Sequence, residues 1–487
     1  MRQPGQGQMS GLFIPDYVEI NGGGYLHPDA TVEISGAKNE VLGAMAAAVL
    51  TDQPVEFHNV PYISDVLNMG HMLIELGADV RHDPENKILH IHAQNITSNQ
   101  LSDTADEFRA SYYLWGALLA RFQNTGEFNS LRIKMPGGCG FSGSRKSDYH
   151  LELLRNTFRV EETLGNNYIE VAFPPAERNC MTEPVFATDL MSHGATMHWL
   201  LANATRSEFK VCYNASLEPE VPHLLGILNK MGANLRGTAT TAITNLGRDG
   251  LLRGGSFAIM PDRMETGSYV LLAMALRDSI RISGMDSSSC RPWYNSMHEI
   301  IMRSNMKSKP NSFYKSPSDD LAYFDFLGLQ DFPGRRFVMS PFPGKETDLH
   351  QIWTPVLAEA TTGSEIYDPV WTGRHAHLPE LAKFGIKTSH TLYNTETERT
   401  VANKTLHISI KPSKIRSADV TGMDLRGTFA LMVAASVASG QSRITKPGYA
   451  LRGYPNLIRN LQSIGIKVKA SKEGTFVPAL PPLSNQR

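Results

Sequence analysis

The amino-acid sequence predicts an α/β protein built inside-out, with its most apolar helices at the centre and sheets around them. One type of helix end recurs along the chain at a regular interval, and each repeat begins with a helix that is apolar on nearly every side. At 487 residues, 41% of them hydrophobic and 20% charged, the chain is long enough for two or more globular domains with large cores.

The repeat is visible in four amphipathic stretches that end in a glycine followed by the start of a strand. These glycines are Gly77, Gly232, Gly385 and Gly465. The first two intervals between them are 155 and 153 residues and the third is 80, so one further unit fits inside each long interval. Degenerate helix ends near Thr157 and Asn305 fill those places, and six units of roughly 75 to 80 residues tile the chain.

Each unit contains an apolar helix, a β-rich stretch and a more polar helix that runs to the end of the unit. The apolar helices are predicted at residues 41–50, 110–121, 194–204, 267–276, 349–360 and 427–439. Because they are apolar nearly all round, they should be buried, and the amphipathic helices should lie outside them. A solenoid would need shorter and more uniform repeats.

Composition excludes several classes of function. The formal net charge is −1 and no run of Lys or Arg stands out, so a nucleic-acid partner is not expected. No apolar stretch approaches the roughly 18 residues of a membrane span, and residues 1–15 have the composition of a flexible arm without the apolar region of a signal peptide. A membrane partner is therefore not expected, and we expect a cytoplasmic protein.

The cysteines and histidines do not predict a metal or a disulfide. The four cysteines are widely scattered, with no paired spacing typical of zinc sites or disulfide frameworks. His375 and His377 are two residues apart and His193 and His198 are five apart, which is not the i, i+4 spacing of a helical metal pair. Packed or solvated histidines are the favoured interpretation, and no metal or other cofactor is expected.

Two short segments suggest a site for a phosphorylated small molecule. The first, Ser35-Gly36-Ala37-Lys38-Asn39, places a lysine and an amide at a turn from a strand to a helix. The second, residues 136–145, is a glycine-rich loop that carries Cys139 and ends at Arg145. Glycines let backbone N–H groups approach a small anion closely, and the thiol can give or take a proton.

Further polar side chains precede the other apolar helices: Arg109, Asp348, Asp424 and Arg426. Helix N-termini carry partial positive charge and hold anions, and in a pseudo-symmetric fold of six units they can meet in one cleft. Each such residue alone is as well explained by a helix cap or a surface ion pair. Their recurrence at equivalent places favours a shared site.

Eight motifs in order over residues 20–470 resemble those of the enolpyruvyl transferases, and within them the UDP-N-acetylglucosamine enzymes of peptidoglycan synthesis. They are Ser35-Gly36-Ala37-Lys38-Asn39, Arg109-Ala110-Ser111, Pro136-Gly137-Gly138-Cys139, residues 261–267, Thr347-Asp348, Arg374 with residues 377–381, Asp424-Leu425-Arg426 and Arg452-Gly453-Tyr454. The resemblance implies two inside-out α/β domains, each of three βαβαββ units. One would span residues 38–260 and the other residues 16–37 with 261–475, leaving an arm at 1–15 and a tail at 476–487.

The resemblance also implies a reaction in which phosphoenolpyruvate meets an acceptor hydroxyl, a tetrahedral phospho-ketal forms and phosphate leaves. The positions matching cations that bind phosphoenolpyruvate are Lys38, Arg145, Arg374, Arg426 and Arg452. We expect Lys38 and Arg145 mainly at the phosphate, and the other three around the carboxylate and the closing interface. Cys139 matches the acid that protonates the methylene carbon, Asp348 matches the candidate base, and Asp424 is expected near the leaving groups.

Recognition of the acceptor is where the sequence departs from the sugar-nucleotide enzymes. The positions matching acceptor-binding residues are Asn39, Arg109, Asp148, Ser192, Gly194 and Asp348. Lys146 stands where those enzymes have a proline, one extra residue separates Cys139 from Arg145, and Leu190 replaces a lysine that reaches the diphosphate.

The sequence therefore leaves several acceptors open. The Leu190 and Lys146 changes, together with the arm and a long fourth unit (residues 306–336), slightly favour a smaller uridine nucleotide, such as the 3′-hydroxyl of UMP in nucleoside-antibiotic biosynthesis. The alternative is the 3-hydroxyl of UDP-N-acetylglucosamine. A 5-enolpyruvylshikimate-3-phosphate synthase fits less well because of the Cys139 loop. A non-catalytic nucleotide-binding relative is disfavoured by the intact set of catalytic residues.

Overall fold

A computed structural model describes most of the chain. The described residues are 11–101, 109–134, 148–165, 168–174, 184–188, 191–237, 240–286, 288–291, 294–295, 312–315, 322–326, 331–395 and 403–483. Cys139, Arg145, Lys146 and Leu190, as well as the helix end expected near Asn305, lie outside these residues.

The described residues form α-helices and strands with the following bounds. The helices are α1 (Lys38–Ala47), α2 (Ser64–Glu75), α3 (Tyr112–Thr125), α4 (Asp148–Phe158), α5 (His193–Asn203), α6 (Glu220–Lys230), α7 (Arg263–Leu276), α8 (His350–Ala358), α9 (His377–Lys383), α10 (Leu425–Val437), α11 (Gly448–Leu451) and α12 (Leu457–Ser463). Short 3-10 helices cover Ala48–Leu50, Arg109–Ser111 and Thr347–Leu349.

Strands β1 to β9 are Gly11–Pro15, Tyr17–Gly22, Thr31–Glu33, Val55–His58, Asp79–Asp83, Ile88–His92, Ser130–Ile133, Glu161–Leu164 and Ile169–Ala172. Strands β10 to β17 are Val185–Ala187, Lys210–Tyr213, Leu235–Arg236, Ala242–Asn245, Gly255–Ala258, Ile280–Met285, Ser312–Lys315 and Ala322–Phe326. Strands β18 to β25 are Arg336–Val338, Ser364–Asp368, Lys387–Thr395, Asn403–Lys411, Asp419–Thr421, Gly440–Thr445, Lys467–Ala470 and Gly474–Pro478.

Six of the sheets in the described residues correspond to the six repeats. Their strand orders are β14-β4-β6-β5, β7-β9-β8, β10-β11-β13-β12, β16-β17-β15-β3, β18-β19-β21-β20 and β22-β23-β2-β24. Most sheets combine a parallel outer pair with antiparallel pairs, as in β14 beside β4 and β4 beside β6. The α/β fold class with repeated sheet-and-helix units is confirmed.

The apolar helices lie inside these sheets, as their composition predicts. Every residue of α1 from Glu40 to Ala47 is buried, and so is every residue of α8 and of α7 from Arg263 to Ala275. Glycines let the inner helices approach closely, since a Cβ at Gly116 of α3 would lie 2.6 Å from the His198 ring of α5. A larger residue there would force the helices apart.

The predicted glycine ends of the units have the backbone conformation that a left-handed helix end requires. The φ angles are 105° at Gly77, 104° at Gly232, 84° at Gly385 and 106° at Gly465. In the second unit, where a degenerate helix end was expected near Thr157, the residue in the left-handed conformation is Arg159, with a φ of 60°, and not a glycine.

The described residues form two hydrophobic cores, and between residues 34 and 264 the chain passes from one to the other and back. One core contains residues from Val41 to Ile259 together with Leu480, and the other contains residues 18–34 together with residues 264–468. The two passages run side by side, because the N–H of Ala37 donates to the carbonyl of Met260 at 2.7 Å and the N–H of Asp262 donates to that of Ser35 at 2.8 Å. We call these the first and the second core.

The crossing needs a residue without a side chain. A Cβ at Gly36 would lie 1.8 Å from the carbonyl oxygen of Asn59, so only glycine fits this approach of two backbones.

The ends of the described chain differ from the predicted arm and tail. Residues 11–15, expected within a flexible arm, form β1 and pair antiparallel with β25, with the rings of Phe13 and Phe476 5.0 Å apart. The residues after β25 cross to the first core, where Leu480 is 5% exposed. The backbone N–H of His82 donates to the carbonyl of Pro481 at 2.8 Å. The apolar residues of these end segments pack against partners far along the chain, and this packing explains why the segments are ordered. Among the described residues, no helix has the length and apolar character needed to traverse a bilayer.

Candidate functional site

The first group of candidate residues meets at the start of α1. Lys38, the first residue of that helix, places Nζ 2.7 Å from Oδ2 of Asp65 in the first turn of α2. Arg452, which follows α11 in the second core, places Nε 2.8 Å from Oδ1 and Nη2 3.4 Å from Oδ2 of the same carboxylate. Two of the cations predicted to bind phosphoenolpyruvate therefore share one carboxylate across the boundary between the cores.

Asp65 is held as a carboxylate by its partners. It is 2% exposed, and burial alone raises its pKa. The positive charges and hydrogen bonds of Arg452 and Lys38 outweigh burial and hold the pKa of Asp65 below its ordinary value. The site thus has a built-in anion between two basic side chains.

Asp262 connects this group to the start of α7. Its Oδ1 accepts hydrogen bonds from the N–H groups of Met264 and Glu265 at 2.8 and 3.0 Å, and its Oδ2 accepts one from the N–H of Lys38 at 3.2 Å. Glu265 is buried and accepts from the N–H and the hydroxyl of Ser35. Burial, together with the negative charge of Asp262, raises the pKa of Glu265 to about 8, so this side chain is protonated at neutral pH.

The start of α10 supplies a cap and a buried cation. Asp424 is the cap: its Oδ1 accepts from the N–H groups of Arg426 and Gly427 at 3.1 and 2.8 Å, and its Oδ2 accepts from Nε2 of Gln351 at 3.0 Å. Arg426 is 6% exposed, and its guanidinium carbon lies 4.9 Å from the centre of the Tyr454 ring. Among the described residues, Nε and Nη1 of Arg426 have no hydrogen-bond partner. This guanidinium has hydrogen-bonding capacity for an anion.

Arg426 lies within electrostatic range of the other candidate groups. Burial lowers its pKa, but Tyr454 and the carboxylates of Asp262 and Asp348 more than compensate, and the pKa is raised. Asp262 is the same residue that accepts from Lys38, so the starts of α1, α7 and α10 surround one region.

The fourth corner of this region is an ion pair between Asp348 and Arg374. Asp348 lies in the 3-10 helix before α8, and Nη1 of Arg374 is 2.5 Å from its Oδ1. Burial lowers the pKa of Arg374, but the charges of Asp348, Asp368 and Asp424 raise it above its ordinary value. The guanidinium also lies 5.3 Å from the centre of the Trp371 ring. Asp348, the predicted base, is thus paired with a cation predicted to bind substrate.

A cluster of carboxylates around Arg263 crosses the boundary beside Asp348. The guanidinium of Arg263 lies 3.1–3.2 Å from carboxylate oxygens of Glu218, Glu220 and Glu346. Nδ1 of His193 lies 3.0 Å from the same oxygen of Glu218 that pairs with Arg263. Burial raises the pKa of Glu346 to about 7, against the lowering effect of Arg263.

His193, Glu218 and Glu220 are close enough to one another to bind a metal ion together. Both carboxylates already neutralise Arg263, whose charge would oppose a cation at that place. The donor set therefore fits an ion-pair cluster better than a metal site.

The residues predicted to bind the acceptor are only partly described. Asn39 is half-buried beside Lys38, and Ser192 caps α5 by accepting from the N–H of Ala195 at 3.3 Å. Gly194 has room for a side chain, since a Cβ there would lie 3.6 Å from the His150 ring. Arg109 begins a 3-10 helix and Asp148 begins α4.

The structure brings together Lys38, Arg452, Arg426, Arg374 and Asp348, with Asp424 as a helix cap beside them. Their roles in catalysis remain predictions, and those of Cys139 and Arg145 concern residues outside the described part. Sequence reasoning missed Asp65, Asp262 and the Arg263 cluster. Asp262 and Arg263 lie in the motif at residues 261–267, and Asp65 follows Ser64 at a helix start, which are the signals that could have identified them.

Comparison with known proteins identifies the family of the chain. A family model described as EPSP synthase (3-phosphoshikimate 1-carboxyvinyltransferase) matches residues 25–461. The chain is 31% identical over 455 residues to UDP-N-acetylglucosamine 1-carboxyvinyltransferase 2 of Streptococcus thermophilus (strain CNRZ 1066), covering 92% of this chain and 98% of the relative. It is also 31% identical over 459 residues to the enzyme of that name from Lactiplantibacillus plantarum, covering 93% and 97%.

Solved structures share the fold. The enolpyruvyl transferase NikO from Streptomyces tendae superposes with a TM-score of 0.77 at 20% identity, covering 94% of this chain and 99% of that one. An EPSP synthase from Acinetobacter baumannii gives a TM-score of 0.64 at 12% identity, covering 94% and 100%.

The chain belongs to the EPSP synthase family of enolpyruvyl transferases. It is an enzyme of the carboxyvinyltransferase class, as its motifs predicted.

Proposed function

We propose that this enzyme moves the carboxyvinyl group of phosphoenolpyruvate onto a hydroxyl of a uridine nucleotide and releases phosphate. The observation that carries the proposal is the meeting of four basic side chains from both cores at helix starts: Lys38, Arg452, Arg426 and Arg374. A small acid with close to three negative charges needs such a set of cations in a buried place.

The four cations suit different parts of that substrate. Arg426 has two guanidinium nitrogens without a partner among the described residues, so it can accept a carboxylate without losing an existing bond. Lys38 and Arg452 must exchange Asp65 for the substrate or bind it with Asp65 still in place. A phosphate brings more negative charge than one carboxylate and can compete for both cations.

Asp348 suits the role of the base that takes the proton of the acceptor hydroxyl. Its pairing with Arg374 at 2.5 Å favours the ionised form, which is the form that accepts a proton. Cys139 remains the proposed acid for the methylene carbon, with Arg145 beside the phosphate, on the strength of the sequence motif.

We favour the 3′-hydroxyl of UMP as the acceptor, with the 3-hydroxyl of UDP-N-acetylglucosamine as the second candidate. The relatives named for the sugar nucleotide support the second. The replacement of a lysine by Leu190 supports the first, because a diphosphate needs cations. His193 and Arg263, the basic side chains in contact with the carboxylates near the start of α5, are already paired there.

The test is to incubate the protein with phosphoenolpyruvate and either UMP or UDP-N-acetylglucosamine, measuring phosphate release and the mass of the nucleotide. We expect UMP to gain one enolpyruvyl group faster than the sugar nucleotide. Release with shikimate 3-phosphate alone would indicate the third acceptor class, and no release with any acceptor would indicate a non-catalytic relative.

A matched pair of variants tests the cation site itself. Arg426→Gln should reduce phosphate release strongly. Arg443→Gln is the control, because Arg443 also lies over a tyrosine ring, at 3.6 Å from the centre of Tyr17, but is exposed on β23. Equal activities of the two variants would contradict the assignment of Arg426 to the substrate.

A further inference from the structure

His350 is a fully buried histidine whose two ring nitrogens both contact hydrogen-bond acceptors. It is the first residue of α8, two residues after Asp348, and it is 0% exposed. Its Nδ1 lies 2.6 Å from Oδ2 of Asp368, and its Nε2 lies 2.9 Å from the backbone carbonyl oxygen of Arg374. It therefore contacts the residue that carries the guanidinium paired with Asp348.

Asp368 can only accept hydrogen bonds in this arrangement. Its Oδ1 accepts from the N–H groups of Val370 and Trp371 at 2.8 and 2.9 Å, and its Oδ2 accepts from the hydroxyl of Thr347 as well as from His350. Burial raises the pKa of Asp368, but the hydrogen bond and charge of His350 and the other donors hold it below its ordinary value. Asp368 is thus an ionised carboxylate with donors at both oxygens.

Both contacts of His350 face hydrogen-bond acceptors. A carboxylate and a peptide carbonyl have no proton to donate, so each of the two contacts requires an N–H on the ring. A neutral imidazole carries only one N–H, so a ring that makes both contacts carries a proton on each nitrogen.

The neighbouring groups are consistent with a positive charge at this place. The ring of His377 lies 5.6 Å from that of His350. Burial first, and then the charges of His350, His375, Arg374 and His390, hold the pKa of His377 well below its ordinary value. His377 is therefore neutral, whereas the His350 ring contacts the carboxylate of Asp368.

We infer that His350 is a positioning residue for the reaction. It joins the turn at residues 368–371, the backbone of Arg374 and the 3-10 helix that carries Asp348, and so fixes the guanidinium of Arg374 against Asp348. The inference rests on the proposed roles of Arg374 toward phosphoenolpyruvate and of Asp348 toward the acceptor. A neutral imidazole at position 350 can donate to one of the two acceptors but not to both.

The first experiment measures the protonation directly. Nitrogen-15 NMR of the full-length protein with labelled histidine, assigned with His350→Gln, should show two protonated ring nitrogens for His350 at neutral pH. His82 is the internal control: it is buried on β5, its ring nitrogens have no hydrogen-bond partner in the described part of the chain, and burial lowers its pKa to about 4. A neutral His350 ring would overturn the inference whatever acceptor the enzyme uses.

The second experiment separates positioning from stability. His350→Gln carries its donors on a single nitrogen, in place of the two ring nitrogens that contact Asp368 and the Arg374 carbonyl. We expect kcat to fall and KM for phosphoenolpyruvate to rise, with kcat/KM about tenfold to a hundredfold lower. His82→Gln removes a buried imidazole from the first core and should lower Tm with an unchanged KM. Unchanged kcat/KM in His350→Gln would overturn the inference.

Two outcomes distinguish failure here from failure of the proposed function. If the wild-type protein releases no phosphate with any of the acceptors, the proposed function is contradicted. The NMR measurement still decides the charge on His350 in that case. If His350→Gln does not fold, Asp368→Asn replaces it. Asp368→Asn keeps the shape of the turn. It should make the His350 ring neutral in the NMR measurement and lower kcat/KM. A doubly protonated ring together with an unchanged kcat/KM would contradict the inference.

Discussion

Replacing Asp65 by Asn tests whether this carboxylate holds the place of the substrate. The substitution keeps the shape of the side chain and removes the charge that lies 2.7 Å from Lys38 and 2.8 Å from Arg452. Removing one partner of a buried ion pair costs about 3–5 kcal/mol, because the remaining charges lose their compensation. The side chains of Lys38 and Arg452 keep 16% and 14% of their exposure, so we expect the lower end, about 3 kcal/mol.

Phosphoenolpyruvate should reverse much of this loss. At a concentration of 100 times Kd, a ligand adds about 2.7 kcal/mol to the stability of any protein that binds it only when folded. At one absolute concentration of phosphoenolpyruvate, the increment should be larger in Asp65→Asn than in the wild type, because tighter binding lowers Kd when the ligand supplies negative charge that Asp65 no longer provides. In the wild type the ligand must compete with that carboxylate.

The assay is denaturant unfolding with and without phosphoenolpyruvate, with Asp79→Asn as the control. Asp79 pairs with Arg81 on the solvent-facing side of β5, so its replacement should change stability by less than about 0.5 kcal/mol and leave the ligand increment unchanged. A ligand increment in Asp65→Asn no larger than that of the wild type would refute the reasoning. It would mean that substrate and Asp65 do not share these cations.

Three further changes test the fold and the buried charges. Gly36→Ala should lower the free energy of unfolding by about 3 kcal/mol or more, because its Cβ would lie 1.8 Å from a backbone oxygen. Gly24→Ala is the control and should be tolerated, because a Cβ there has nothing within 4 Å. Equal losses of stability in thermal unfolding would contradict this. Leu480→Ala should lower stability by about 2 kcal/mol in denaturant unfolding if the C-terminal segment is part of the first core, and no change would show that it is not. The raised pKa of Glu265 means that the folded state binds this proton more tightly than the unfolded state, so stability falls as pH rises from about 4.5 to about 8. Glu265→Gln should therefore lose less Tm between about pH 6 and 9 than the wild type or the exposed control Glu75→Gln, and parallel curves would refute the assignment.

The repeat and the inner helices could be predicted because they depend on local signals. A glycine at a left-handed helix end and a helix that is apolar all round are visible within a dozen residues, as at Gly77 and in α10. The ends of the chain could not be predicted in this way. Strand β1 pairs with β25, more than four hundred residues later, and no local pattern specifies such a pairing.

The candidate site divides along the same line. Basic residues at helix starts identified Lys38 and Arg426, because the anion preference of a helix N-terminus can be read from sequence. The same rule could not show whether Asp424 binds a ligand or caps a helix, and in the structure its Oδ1 caps α10. Asp65 and His350 were missed because their importance comes from partners brought close only by folding: Arg452 for Asp65, and the Arg374 carbonyl for His350.

The double passage between the cores has a consequence for biosynthesis. Strands β2 and β3 leave the ribosome before residues 41–259 of the first core, but their partners β15, β23 and β24 are translated only after those residues. Residues 41–259 can fold as a contiguous segment while β2 and β3 wait with open edges. β2 lies between β23 and β24, so this sheet is completed only by strands that are translated more than four hundred residues later.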